Sequence, residues 1–185
     1  MFYERLKKNI VEVVKEEQVK LGFSKEIIRL YYPLESLNRI MGTSFDKKEM
    51  LQSLYDFSRS MKYFFWEIEI SEENGRFCLI LPPKTSVYVH ENTPESGFLY
   101  DFIGVIGRHG ILIDEVLSVF RKYSERVHFE KVSNGEFDYL IYFENGVPDT
   151  YRYCLTDEGH HIIYHRYSPE EYQAIVTSFP LKANP

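Results

Sequence analysis

Two Asn-Gly pairs, Asn74-Gly75 and Asn134-Gly135, constrain this chain more than any other feature in it. A two-residue hairpin turn needs positive φ at its centre, and Asn-Gly supplies that at low steric cost. Before the first pair, Phe65, Glu67 and Glu69 alternate with Trp66, Ile68 and Ile70; after it, residues 76–81 form a return strand that Pro82-Pro83 ends. The second pair, within Ser133-Asn134-Gly135, lies between strand-like runs at residues 127–132 and 137–143. Each half of the chain is therefore expected to hold an antiparallel hairpin.

Helical periodicity fills much of the rest. Phe2, Leu6, Ile10, Val13, Val14 and Leu21 recur at three- and four-residue steps and mark an amphipathic first helix that Gly22 stops. Residues 26–32 are short, β-branched and aromatic, and Pro33 closes them, which predicts a short strand followed by a helix over 34–41 that Gly42 ends. Asp46-Lys47-Lys48-Glu49 has capping-box spacing and opens a helix whose apolar face is Met50, Leu51, Leu54, Tyr55 and Phe57. A shorter strand is expected at 86–90. Beyond it, Thr93-Pro94-Glu95-Ser96 opens a helix that runs to Gly107, and another starts near Asp114. Residues 150–155 and 161–166 read as strands around Asp157-Glu158-Gly159. Ser168-Pro169-Glu170-Glu171 caps a last helix, and the tail, 181–185, reads as loose.

These elements make an α+β chain of amphipathic helices and antiparallel β-hairpins. In the first half, the order helix, strand, helix, helix, hairpin is that of a winged helix, with 46–58 as the recognition helix and 65–81 as the wing. Helix, helix, hairpin recurs in the second half with a longer antiparallel sheet, so two winged-helix-like halves are expected: residues 1–84 and residues 94–180, with a Pro-, Ser- and Thr-rich junction at 82–95. A hydrophobic content of 44% is enough for a real core. The 15 Tyr and 14 Phe favour sheets whose two faces are both partly covered.

Charge and composition exclude more than they assign. The net charge is −6, yet residues 1–92 carry 14 basic and 14 acidic side chains while residues 93–185 carry 8 and 14. The acidic second half argues against nucleic acid, and the first half is only permissive. No run approaches the roughly 18–20 apolar residues of a membrane span. The amphipathic, acid-bearing start lacks the features of a signal peptide. Cys78 and Cys154 sit inside strand-like runs as reduced core thiols. A bacterial, cytoplasmic protein with no membrane association is expected.

The candidate chemistry is thin. His160, His161 and His165, near Cys154, Asp157 and Glu158, form the densest set of metal-ligating side chains. On a strand His161 and His165 share a face and His160 points away, and a zinc site needs three or four groups converging at about 2.0–2.3 Å. Surface or partly packed histidines on an edge strand are the plainer expectation. Glu67 with Glu69, Glu72 with Glu73, and Asp157 with Glu158 read as solvent-facing acids. Gly104, Gly107 and Gly110 end one helix and lead to the next, where a phosphate cradle would follow a strand. Arg39, Lys47, Lys48, Gln52, Arg59 and Lys62 are the candidates for nucleic-acid contact, but residues 44–62 net only +1. No catalytic residue, cofactor-binding residue or cofactor is predicted.

The segment from Glu17 to Leu37, with Gly22-Phe23 and Leu30-Tyr31-Tyr32-Pro33-Leu34-Glu35-Ser36-Leu37, resembles an uncharacterised family of small clostridial proteins. The resemblance carries over no activity, site or cofactor. Acidic balance, hairpins and aromatic faces favour a non-enzymatic macromolecular interaction or regulatory protein with a protein partner, and a homodimer is compatible with that. A winged-helix DNA-binding regulator using residues 46–62 is one alternative. A metal-binding protein or enzyme using His161 and His165 is the other.

Overall fold

The computed structural model describes residues 2–132 and 135–178 and divides into two compact units, Met1–Glu95 and Ser96–Pro185. The fold is α+β, with one antiparallel sheet in each unit.

In the first unit, α1 (Phe2–Leu21) buries Leu6, Ile10 and Val14 completely, at the four-residue spacing its sequence shows. Each such side chain is worth about 1.5–3 kcal/mol relative to exposure. Gly22, at φ +84°, ends the helix and donates its N–H to the Gln18 carbonyl. The strand β1 (Ile28–Tyr32) follows, and Pro33 turns the chain into α2 (Leu34–Met41), which Gly42 terminates in the left-handed region.

The Asn38 side chain then staples the turn: its Nδ2 donates to the Phe45 carbonyl, and its Oδ1 accepts from the Phe45 N–H and the Thr43 hydroxyl at 2.8–2.9 Å. Asp46 and Glu49 form the predicted capping box at the start of α3 (Lys47–Ser60). A short α4 (Lys62–Phe65) leads to β2 (Glu69–Glu73) and β3 (Arg76–Leu81). Their turn is Asn74-Gly75 at φ +51° and +74°. The sheet order is β1-β3-β2, so β1 and β2 are the edges. The helix, strand, helix, helix, hairpin order expected from the sequence is therefore present.

Two local expectations fail. Residues 86–90 are not a strand: Pro83–Asn92 is a helix, α5, that buries Thr85, Ser86 and Val89. Pro83 is preset for the first turn of a helix, and burial at 85, 86 and 89 rewards a helical stripe over alternation. Residues 65–68 are not in the hairpin, whose first strand starts at Glu69. Phe57, Met61 and Phe65 are buried at four-residue steps, so the helical period continues through α4, and Trp66, at φ +58°, turns the chain before β2 starts.

The second unit packs α6 (Gly97–Ile106) and α7 (Ile113–Tyr123) on a meander of β4 (Val127–Lys131), β5 (Tyr139–Phe143), β6 (Arg152–Asp157) and β7 (Ile162–Tyr167). Phe98, Phe102, Phe120, Phe143 and Tyr153 form an edge-to-face cluster on one face of this sheet. Leu140 and Cys154 bury the other face with Phe137 and Tyr172. Tyr172 belongs to α8 (Pro169–Ser178), which opens with the predicted Ser168–Glu171 capping box. Both faces are thus covered, as the aromatic content suggested. No strand precedes α6 in this unit, so its likeness to the first unit stops at helix, helix, hairpin. Ser133, Asn134 and the tail at 181–185 lie outside the described residues.

Candidate interaction surface

The least covered apolar surface of the first unit lies along its sheet edge. Eleven large hydrophobic side chains are exposed among the described residues, and four of them, Leu21, Phe23, Ile27 and Tyr31, fall within one eleven-residue stretch. Leu21 is 82% exposed and Ile27 51%. The stretch joins α1 to β1 and then forms β1 itself. An edge strand presents a row of backbone N–H and C=O groups away from its one neighbour, and among the described residues β1 pairs only with β3. Beside it lies an open groove of about 540 Å³, walled by Val13, Glu17 and Gln18 of α1 and floored by β1.

The groove is held from several directions. The Gln18 amide donates to the Ser86 carbonyl at 2.9 Å, and the Ser86 hydroxyl donates to the Ser24 carbonyl at 2.7 Å. Helix α5 thereby pins the link between α1 and β1. Phe23 stacks on His90 of α5 with centroids 4.2 Å apart. The Tyr32 hydroxyl donates to Asn9 Oδ1 at 2.9 Å, which fixes β1 against α1. A partner would meet a shape that needs little ordering, which lowers the entropic cost of binding.

On the sheet face opposite Leu30 and Tyr32, Tyr31 pairs with the buried Cys78 of β3, and its hydroxyl reaches across β3 to donate to Glu73 Oε2 of β2 at 3.1 Å. Hydrogen bonding to the Cys78 thiol, and then to Glu73, raises its pKa above the usual phenol value. Arg29 shares that face, is exposed, and makes no ion pair among the described residues.

The basic candidates do not form a stripe of bare cations. Lys47 bonds Glu72 of β2 at 2.7 Å, Arg59 meets Asp56 at 3.4 Å, and the Gln52 amide reaches the same Asp56 at 3.3 Å. Arg39 lies half-buried on α2, 3.4 Å from the Ser36 hydroxyl. Lys48 and Lys62 are exposed.

The histidines regroup. His160 and His161 lie between β6 and β7, where His109, from the loop between α6 and α7, joins them. The His109 ring centroid is 5.3 Å from that of His160 and 4.9 Å from that of His161. The Gly110 N–H, donating to the His160 carbonyl at 2.8 Å, holds the two loops together. His165, in β7, stacks near Tyr167. Four residues of extended chain span about 13 Å, too far for His161 and His165 to share one ion. All four histidines are exposed, and no group of three His, Cys, Asp or Glu among the described residues has the geometry to hold a metal ion. Only the fold brings the His109 loop to the β6–β7 turn, some fifty residues on, so no local pattern in the sequence signals this grouping. Burial pushes the Cys154 thiol up to about 12, which leaves it protonated and a poor nucleophile at neutral pH. No helix among the described residues is long and apolar enough to cross a membrane.

The profile of one protein family, described as a domain of unknown function, E. rectale gene description (DUF3877), matches residues 3–176. Comparison with curated proteins and with solved structures finds no match.

Proposed function

The chain belongs to this clostridial family of unknown function, and we propose that it is a non-catalytic interaction protein that docks a protein segment along the open edge of β1. The observation that carries this is the preformed groove between α1 and β1, with the open edge of β1 on its floor, Leu21, Ile27 and Tyr31 exposed along its lining, and Phe23 exposed in the link between Leu21 and Ile27. An extended peptide added to such an edge gains main-chain hydrogen bonds, and side-chain pockets supply selectivity.

The element order of the first unit is that of a winged helix, which would make α3 a DNA-reading helix. Charge favours a protein partner instead. Phosphate binding needs uncompensated Lys and Arg, and Lys47 and Arg59 already face Glu72 and Asp56. The buried, free thiols of Cys78 and Cys154 fit a reducing compartment, so the partner is sought in the cytoplasm.

A photo-crosslinking amino acid placed at Phe23, and separately at Tyr63, which is 93% exposed, tests this in cells. Protein adducts are expected at position 23, fewer after Ile27→Asp, and none of comparable yield at position 63. Equal yields at both positions, or a low-salt DNA mobility shift lost on Lys48→Glu and Lys62→Glu, would overturn it.

A further inference from the structure

We infer that the strand completing the β1 edge is β1 of a second copy, paired antiparallel about a two-fold axis through Leu30; this names the occupant of the docking edge proposed above and rests on that edge being the site. Two antiparallel neighbours related by a two-fold axis place like-facing residues opposite one another. Only registers centred on a residue of β1 then keep both cores on one side. Three such registers lie within reach of this short strand.

Centred on Arg29, the pairing sets two guanidinium groups face to face, and like charges directly opposite are destabilising. Centred on Tyr31, it sets Arg29 opposite Pro33, which has no N–H for the ladder. Centred on Leu30, all five residues of β1 pair: Ile28 with Tyr32, Arg29 with Tyr31, and Leu30 with its own copy. Core-facing Leu30 and Tyr32 stay on the core face, and exposed Arg29 and Tyr31 stay on the outer face.

The charges are complementary in this register alone. Arg29 of one copy comes beside the Tyr31 ring of the other, whose hydroxyl is held by Glu73. A guanidinium over a tyrosine ring is favourable, and the nearby carboxylate adds attraction. Symmetry makes the contact twice. The result is one continuous sheet, β2-β3-β1 joined to its copy, with no open β1 edge left in either chain. Edge pairing by five residues is small against the roughly 800 Å² per partner of a standard interface. The exposed Leu21, Phe23 and Ile27 supply the remaining apolar surface, and a weak, reversible dimer is expected.

Mixing Arg29→Cys and Tyr31→Cys chains under mild oxidation reads the register directly. Directly opposed residues have Cα atoms about 4.5–5.5 Å apart, within disulfide range, whereas each variant paired with itself leaves its cysteines two residues out of step, about 8 Å apart. The mixed disulfide should form several-fold faster than either homodimer. By sedimentation, wild-type mass should rise towards the dimer with concentration, and Arg29→Glu should remain monomeric with an unchanged circular dichroism spectrum.

Should Tyr31→Cys not fold, concentration-dependent slowing of amide exchange across β1 in the wild-type chain reads the same contact. Equal rates for mixed and like disulfides, or a wild-type chain monomeric at its highest soluble concentration, would overturn the inference. If that happens while position 23 still crosslinks to a protein of another mass, only the second copy is wrong; if position 23 captures nothing, the edge itself is not a docking site.

Discussion

Tyr153 shows how single side chains in this protein are committed to the fold. It is fully buried among Phe98, Phe102 and Phe120, yet its hydroxyl donates to Asp149 Oδ2 at 2.7 Å. Burial, and then the negative charge of Asp149, raise its pKa well above the ordinary phenol value of 10.0. The linkage follows from the sign. Folded Tyr153 stays neutral at a pH where the unfolded chain ionises, so its contribution is complete below about pH 10 and is lost as pH rises through the folded value. Thermal melts of wild type should lose stability above about pH 10 more steeply than those of Tyr153→Phe. At neutral pH that variant should itself cost about 1.5–3 kcal/mol, because a hydrogen bond to a carboxylate goes with the hydroxyl.

At the scale of elements, the turn between α2 and α3 makes a sharp test. Gly42 sits at φ +69°, and a Cβ built there would lie 2.6 Å from Nη1 of Arg5. Gly42→Ala should cost about 1–2 kcal/mol for the left-handed backbone alone, with Arg5 displaced as well, seen as a lower denaturation midpoint. That glycine was legible in the sequence, and so were α1, the Asn74-Gly75 turn and the capping boxes at Asp46 and Ser168. All are signals carried by neighbours a few residues apart. Helix α5 was not legible, because Ser86-Val87-Tyr88-Val89 has strand-like residues that outweigh the single helix-start signal of Pro83, and the burial of Thr85, Ser86 and Val89 in the core of the first unit decides for the helix. The candidate surface was legible only in part. Residues 26–32 read as a strand, but which edge of that strand stays open depends on its pairing with β3, some fifty residues on. Leu21 matched the apolar stripe of α1, yet the stripe's buried part stops at Val14 and leaves Leu21 in solvent.

For the molecule as a whole, the proposed function rests on what the first unit leaves uncovered. Its charges nearly balance, its α3 cations are partly met by acids, and its apolar surface collects at one sheet edge beside a groove that Ser86, Gln18 and Tyr32 hold in shape. The acidic second unit buries both faces of its own sheet. Hydrogen exchange resolved by residue, run on the full chain at low and high protein concentration and with added duplex DNA, tests the central claim most directly. Slower exchange at residues 28–32 as concentration rises, with α3 and the outer edge of β2 unchanged by DNA, is the predicted result. Unchanged exchange in β1 together with protection of α3 on adding DNA would contradict it.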